Sequence, residues 1–190
     1  MNDIGLESGL DSAAAAALAG AAWGEPGAAS HRCPDDFRLA MRRVAATVNI
    51  VTILADGRPM GMTATAMSSV SMEPPSLLVC INACLTMHAS MEDAAHFCVN
   101  VLHGDHEGLA QMFADPSSKA ARFRDGWLID GSRPPRLADA QAAMLCRRID
   151  HHRFGTHSIF IGQVEEVIVR PEAQPLIYCD GAYGRAARAS

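Results

Sequence analysis

The chain has 190 residues, enough for one domain with a substantial buried core. Hydrophobic residues make up 49% of the sequence and charged residues 19%, a balance typical of globular proteins. The net charge of -5 disfavours a general nucleic-acid-binding surface, and no apolar run approaches the roughly 18 residues that a membrane-spanning helix needs. We therefore expect no nucleic-acid partner and no membrane insertion.

The cysteines are scattered along the chain and do not form a spaced disulfide framework. They are Cys33, Cys80, Cys84, Cys98, Cys146 and Cys179. Those at positions 80, 98 and 146 lie inside apolar runs, as buried thiols do in a reducing compartment. A faint likeness to a metal cluster is given by Cys80, Cys84 and His88, but no second CxxC or HxxxH accompanies them. We predict a cytoplasmic protein and no metal site.

The first part of the chain differs in composition from the rest. Residues 1-33 are rich in Ala, Gly and Ser and poor in large apolar side chains. Such a segment buries too little surface to offset the entropy lost on ordering, so we predict a disordered tail. It lacks the basic start and strongly apolar centre of a secretory signal. Residues 34-190 are predicted to form the folded domain.

A helix is predicted to begin at Asp35 or Asp36, either of which can cap its first turn, and to end near Ala46. Apolar side chains recur on one helical face at i, i+3, i+4 and i+7. These are Phe37, Ala40, Met41 and Val44. The β-branched run from Thr47 to Leu54 then predicts a strand, and Asp56-Gly57 predicts a turn.

The segment Gly61–Asn82 is the most informative stretch of the chain. It begins with small residues and hydroxyl groups, which let a backbone approach a ligand closely. The pair Pro74-Pro75 interrupts it, because proline has no amide hydrogen for a strand ladder. The apolar run Leu77–Ile81 predicts a buried strand, so we place strands near 60-66 and 76-82. Two interpretations are open: one wall of a ligand groove, or a Ser/Thr-rich loop before an ordinary strand.

The remaining elements are predicted as two helices, several strands and one long loop. The helices are Thr86–Ala94 and one capped by Asp105 that carries Leu109, Met112 and Phe113. The strands are residues 97-102, 142-150, 156-170 and 176-179, and the chain from Tyr183 onward is expected to leave the sheet. The Gly- and Pro-rich residues 119-136 predict a long surface excursion that covers a site or a partner.

The order of these elements favours a largely antiparallel barrel with a few helices, because no regular βαβ alternation or repeat is present. The usual nucleotide loops, GxGxxG and GxxxxGK[ST], are missing, as is the GxSxG nucleophile elbow. An enzyme that uses a nucleotide would therefore need another kind of cradle.

Several segments, in this order, resemble the short-chain flavin reductases, which are the reductase components of two-component flavin-dependent monooxygenases. They are FRLAMRRVAATVNIVT, GMTATAMSSVSMEPPSLLVCIN, FCVNVL, GTHSI and a terminal Tyr-Gly-Arg. The likeness is strongest to the reductases of 4-hydroxyphenylacetate 3-monooxygenase and of the pyrimidine-degrading monooxygenase system, and it covers about residues 36 to 185.

The resemblance implies a mainly β fold, an FMN-binding split β-barrel of antiparallel Greek-key type that forms a homodimer. It also implies hydride transfer from NADH or NADPH to FMN or FAD. Reduced flavin would then diffuse to a separate monooxygenase. The flavin carries the chemistry in such enzymes, and the protein supplies placement and electrostatics.

The resemblance also implies a set of cofactor-binding residues. Backbone amides beside the isoalloxazine ring are expected from Met62, Thr63, Ala64 and Thr65, and the same wall continues through Ser68, Ser69 and Val70. Ribityl or phosphate contacts are expected from Asn82, Ala83 and Ser90. For each single Ser or Thr, a turn or strand hydroxyl without a ligand is an equally open interpretation.

His157 and the terminal motif complete the implied site. Many family members carry Gly-Asp-His where this chain has Gly155-Thr156-His157, so an acidic neighbour that could raise the pKa of the histidine is missing here. The resemblance implies that His157 borders the nicotinamide pocket and positions the dinucleotide, without acting as an essential acid or base. Tyr183 and Arg185 are expected to close the pocket or touch the nucleotide. Packed edge or solvated turn roles are the alternatives.

Two other functions are compatible with such a barrel. A flavin- or haem-binding protein without reductase turnover is the first. An enzyme resembling pyridoxamine-phosphate oxidase is the second, and it is disfavoured because no basic cluster in residues 61-82 could hold a phosphorylated pyridine.

Overall fold

A computed structural model of the chain describes residues 33-186. The tail predicted for residues 1-33 therefore lies outside the described residues, except for Cys33. The helices are α1 (Cys33–Arg42), α2 (Thr86–Asp93), α3 (Glu107–Ala114) and a 3-10 helix at Pro116–Ala121. None of these described helices is long and apolar enough to cross a membrane. The chain divides into two compact units after Ala40.

Twelve strands make up the sheets of the described part of the chain. They are β1 (Ala46–Thr47), β2 (Asn49–Ala55), β3 (Arg58–Ala64), β4 (Met67–Met72), β5 (Pro75–Asn82), β6 (His96–Val101), β7 (Trp127–Leu128), β8 (Arg136–Leu137), β9 (Ala142–Phe154), β10 (His157–Val169), β11 (Leu176–Cys179) and β12 (Ala182–Arg185).

The main sheet has seven antiparallel strands in the order β3-β2-β6-β9-β10-β5-β4. Its two edge strands, β3 and β4, are consecutive in the chain. The short link at residues 65-66 therefore joins the two edges, and the Cys80 amide holds it by donating to the Ala66 carbonyl at 3.0 Å. This closure confirms the predicted antiparallel barrel.

The core lies on both faces of the central strands β2 and β6, which explains why their sequences are almost continuously apolar. Val51, Ile53, Phe97 and Val99 belong to the cluster inside the barrel. Ile50 and Cys98, on the opposite face, belong to a second cluster that includes Phe113 of α3 and Trp127.

The loop predicted at residues 119-136 is only partly a surface excursion, because it contributes the buried Trp127 and two short strands. Two polar contacts fasten it to the barrel. The Thr52 hydroxyl donates to the Pro135 carbonyl at 2.6 Å, and the Leu137 amide donates to the buried Asn100 side chain at 2.8 Å. Thr52 in the strand sequence NIVTIL and Asn100 in FCVNVL therefore anchor the loop.

Two expectations for the first helix and the chain end are wrong. α1 ends at Arg42, before the predicted Ala46, because Ala46 pairs with Tyr178 of β11. The Arg42 carbonyl also accepts the Asp180 amide at 2.7 Å. The chain from Tyr183 to Arg185 does not leave the sheet, because it forms β12 and pairs with β11.

Two further expectations, for a helix cap and for a strand, are also wrong. Asp105 does not cap α3: the capping position is His106, and the Asp105 carboxylate accepts from Arg185 at 2.6 Å. The strand β4 was not predicted, because its Ser-rich sequence has no apolar pattern of its own. It forms by pairing with the strongly apolar β5.

Candidate functional site

Two segments meet at one corner of the barrel. β5 ends at Asn82 and β10 begins at His157, and these two residues are register partners. The next residue, Ala83, donates its amide to the Thr156 carbonyl at 2.9 Å. Because the link between β3 and β4 lies against Cys80 of the same strand, residues 64-66, 80-83 and 156-157 form one surface, which we call the barrel corner.

The outer edge of β3 leads away from this corner and offers peptide groups to a ligand. The Gly61 carbonyl accepts from the Arg122 guanidinium at 2.9 Å, so it points away from β2. Along an antiparallel strand the N-H and C=O groups of successive residues point to opposite sides. The backbone groups of Thr63 therefore point outward, like those of Gly61, and the backbone groups of Met62 and Ala64 point toward β2. Of the strand amides predicted to face a flavin ring, the Thr63 amide is therefore the one on the open edge.

An apolar pocket of about 190 Å³ lies against the same edge. Its walls include Met60, Met62, Met87, Phe113 and Phe123. Gly61 allows the two phenylalanine rings to approach the strand, because a Cβ atom there would lie 2.9 Å from Phe113 and 3.0 Å from Phe123. The pocket therefore has an apolar wall of aromatic rings and methionine side chains beside an open peptide edge.

Arg122 fastens the segment that covers this pocket, residues 113-123, which we call the strap. Its guanidinium donates to the carbonyls of Met112 at 3.2 Å, Gly61 at 2.9 Å and Asp115 at 2.8 Å. It also lies 5.2 Å from the centre of the Phe113 ring. Burial lowers the pKa of Arg122, and the charge of Asp115 opposes that change. The residue remains a cation whose donors are directed at carbonyls.

A second cation links the strap to the opposite wall of the pocket. The Lys119 ammonium donates to the Thr86 hydroxyl at 3.0 Å, and both residues line the pocket. Both side chains are exposed, so this contact can exchange with water or a ligand group.

Sequence reasoning missed Arg122, Phe123 and Lys119. The signal that could have found them is the Lys-Ala-Ala-Arg-Phe run, whose charged and aromatic side chains stand among small residues.

The predicted binding residues of β3 and β5 lie at or beside the barrel corner, but some of their polar groups are already engaged. The Thr63 hydroxyl donates to the Ala110 carbonyl of α3 at 2.7 Å, which leaves its backbone for a ligand. The Asn82 side-chain oxygen accepts the Cys84 amide at 3.0 Å. His157 is exposed, and its Nδ1 lies 2.9 Å from the Thr156 hydroxyl.

Other predicted residues lie farther along the fold. Ser68, Ser69 and Val70 are exposed on the edge strand β4, where Ser68 and Ser69 pair with Leu78 and Leu77 and run away from Asn82. Ser90 is half-buried in α2. The structure does not bring these four side chains together at the barrel corner.

Tyr183 and Arg185, the predicted residues at the end of the chain, belong to β12 in a different sheet. Tyr183 packs edge-on against Tyr178 with ring centres 5.2 Å apart, and burial is the main cause of its raised pKa. Arg185 pairs with Asp105, the residue that precedes the capping position of α3. The structure thus joins Tyr183 and Arg185 to the three-stranded sheet β1-β11-β12 and the start of α3.

Comparison with known proteins identifies the family of this chain. The flavin reductase like domain model matches residues 41–187. The chain is 43% identical over 151 residues to the reductase component of an FADH2-dependent resorcinol hydroxylase from Rhizobium sp. strain MTP-10005, covering 78% of this chain and 84% of that one. It is 37% identical over 154 residues to an FMN reductase (NADH) RutF 1 of Methylorubrum extorquens, covering 80% and 77%.

One solved structure is similar to this chain in fold as well as in sequence. It is the NADH:FAD oxidoreductase SgcE6 of Streptomyces globisporus in complex with NAD and FAD fragments, with a TM-score of 0.75 and 28% identity, covering 88% of this chain and 98% of that chain. The family model spans most of the chain, and the Rhizobium relative shares its sequence over nearly the same length. The protein therefore belongs to the flavin reductase like domain family.

Proposed function

We propose that this flavin reductase transfers hydride from NADH to FMN and supplies the reduced flavin to a separate monooxygenase. The observation that supports it best is the meeting of the barrel corner with the open edge of β3 and its apolar pocket. NADH is preferred over NADPH because the relative from Methylorubrum extorquens and the solved SgcE6 structure both carry it in their names. FMN is taken as the first flavin to test from the Methylorubrum name, beside FAD from the name of SgcE6. The partner class follows from the name of the Rhizobium relative.

The residues present fit a flavin. A flat, partly apolar ring system needs an apolar wall and a few polar groups at its edge. The pocket supplies Met62, Phe113 and Phe123 as the wall, and the outward amide of Thr63 supplies an edge donor. The nearby guanidinium of Arg122 adds positive charge, which suits the negative charge that a flavin ring gains on reduction.

A bound flavin supplies the capacity to accept hydride, and the chain's own residues supply placement. Met62, Thr63 and Ala64 of β3 and Thr65 of the link after it form the segment against which the ring would lie, while Asn82 and Ala83 would orient the rest of the cofactor. His157 stands beside Asn82 and would hold the nicotinamide, since hydride transfer depends mainly on distance and alignment. Roles for Ser68, Ser69, Val70, Ser90, Tyr183 and Arg185 in cofactor binding stay predictions.

We further propose a cytoplasmic homodimer. Large apolar side chains are exposed on strands of the main sheet, and they include Met72 at 81%, Phe154 at 79% and Val169 at 66%. A second copy of the chain could cover such groups, together with the edge strand β4 that carries Met72. A reducing location is supported by the thiols of Cys98 and Cys146, which are buried and unpaired within residues 33-186.

The proposal is tested by following the oxidation of NADH by purified protein with no flavin, with FMN and with FAD, and by repeating the series with NADPH. We expect oxidation only when flavin is added, fastest with NADH and FMN. A rate equal to the enzyme-free rate with every pair would contradict the reductase function. Flavin binding in that case, seen as quenched flavin fluorescence, would favour a carrier protein.

A further inference from the structure

A buried polar contact lies directly behind the barrel corner. His88 of α2 is 5% exposed and Ser158 of β10 is 0% exposed, and the His88 Nε2 lies 2.8 Å from the Ser158 hydroxyl oxygen. Neither residue is among the cofactor contacts described above. A buried histidine with a buried hydroxyl partner calls for an explanation, because polar groups are costly to remove from water.

The surroundings determine which atom donates. The His88 Nδ1 lies 3.8 Å from a Glu92 carboxylate oxygen, which favours a proton on Nδ1. The Nε2 atom is then the acceptor, and the Ser158 hydroxyl donates to it. The same Glu92 oxygen lies 3.9 Å from His151 Nε2, and His151 Nδ1 lies 3.5 Å from an Arg148 guanidinium nitrogen.

Aromatic packing holds this arrangement in place. Phe160 of β10 meets His88 edge-on, with ring centres 5.7 Å apart, and stacks on His151 at 5.5 Å. His88 is therefore held on one side by a ring and at Nε2 by its contact with Ser158, while the Glu92 carboxylate lies farther from Nδ1.

The contact joins the two segments that form the barrel corner. Ser158 follows His157, and His88 lies in α2, shortly after Ala83. Strand pairing already joins β5 to β10 up to the Asn82-His157 pair, and one backbone hydrogen bond, from the Ala83 amide to the Thr156 carbonyl, continues it. That ladder does not include α2, and the His88-Ser158 contact ties this helix to the start of β10.

We propose that His88 is a positioning residue that, through Ser158, holds α2 against the start of β10 and so maintains the spacing between His157 and the turn at Asn82-Ala83. This inference rests on the proposed function, since that spacing would place the dinucleotide over the flavin. The reaction is sensitive to such placement, because hydride transfer requires close, aligned atoms. The flavin contacts proposed above lie on β3 or at the end of β5, where strand pairing holds Asn82, whereas His157 lies next to Ser158 itself, so dinucleotide binding should respond more than flavin binding.

The test compares Ser158→Ala, His88→Phe and His88→Gln with the wild type. Alanine and phenylalanine remove the hydrogen bond, and we expect the KM for NADH and the dissociation constant for NAD+ to rise roughly three- to tenfold, the effect of one lost hydrogen bond. The FMN dissociation constant should stay within about twofold. His88→Gln should restore wild-type values, because its amide oxygen can accept from Ser158 in place of Nε2.

A matched control is His96→Ala. His96 also contacts a glutamate, with its Nε2 3.3 Å from Glu165, but it pairs with Arg147, away from the end of β9 that adjoins His157. Its KM for NADH should equal that of the wild type.

The inference is overturned if Ser158→Ala and His88→Phe lower the melting temperature but leave both the KM for NADH and the affinity for NAD+ unchanged. It is also overturned if His88→Gln behaves like His88→Phe. A wild-type protein that binds NAD+ without oxidising NADH would contradict the proposed function, and NAD+ affinity would still test the positioning role.

Discussion

The barrel corner and the pocket covered by the strap both adjoin β3 but are built in different ways. At the corner, Asn82 and His157 come together through strand register, and the His157 side chain projects into solvent. At the pocket, contacts between side chains and backbone join distant segments, as when Arg122 reaches Gly61 across 61 residues of sequence. We infer that substitutions in the strap should lower stability and FMN affinity together, whereas a substitution of His157 at the corner should change dinucleotide binding with little change in stability.

The largest expected effect on stability is that of Arg122→Ala. The substitution leaves three carbonyls without their charged donor, and we expect the free energy of unfolding to fall by about 2-3 kcal/mol. Urea denaturation measures it. Arg124→Ala is the control, because Arg124 is exposed and lies only two positions along the chain. If Arg122→Ala and Arg124→Ala were equally stable, the contacts of Arg122 would not stabilise the strap, and the prediction would be wrong.

A smaller loss of stability is expected for Gly61→Ala. The new Cβ atom would lie within 3.0 Å of ring carbons of Phe113 and Phe123, so the rings must shift, at a cost of about 1-2 kcal/mol. FMN affinity should fall as well, because the rings form the pocket wall. Gly108→Ala is the control: no atom lies within 4 Å of a Cβ atom there, and alanine favours the helix.

Thermal unfolding and FMN titration of the two glycine variants provide the measurement. We expect Gly61→Ala to be less stable than the wild type and Gly108→Ala to be at least as stable. Unchanged FMN affinity in Gly61→Ala, despite lower stability, would separate the pocket from the flavin site.

The smallest effect on stability is expected for His157→Ala. The side chain is exposed, so the free energy of unfolding should change by less than about 0.5 kcal/mol. The KM for NADH should rise several-fold while FMN affinity stays nearly constant. Steady-state kinetics with His152→Ala as the control, an exposed histidine of the same hairpin, checks this. A KM equal to that of the wild type would make His157 an ordinary edge residue.

Local pattern was sufficient for much of the fold. The apolar runs at Leu77–Ile81 and in FCVNVL are strands in the structure, because β-branched and aliphatic side chains pack well on a pleated, buried surface. The segment Thr86–Ala94 likewise contains α2. The strand β4 could not be predicted in this way, since Ser68 and Ser69 acquire their extended form only by pairing with β5.

The candidate site shows the same difference between what local sequence predicts and what depends on distant partners. The residues of the barrel corner could be predicted because they stand in contiguous segments that resemble the family, and strand register then brings those segments together. The roles of Asp105 and Arg185 could not be predicted, because these two residues bond to each other and lie far apart in the chain.

The sequence by itself determined the antiparallel barrel, the flavin reductase family and the segments that meet at the barrel corner, because these depend on local side-chain pattern and on contiguous motifs. Only the tertiary structure decided that Arg122 holds the edge of β3, that the Thr63 hydroxyl serves α3 and that His88 bonds to Ser158. Each of these contacts joins residues far apart in the chain, and donors and acceptors carry no local mark of the partner they will meet.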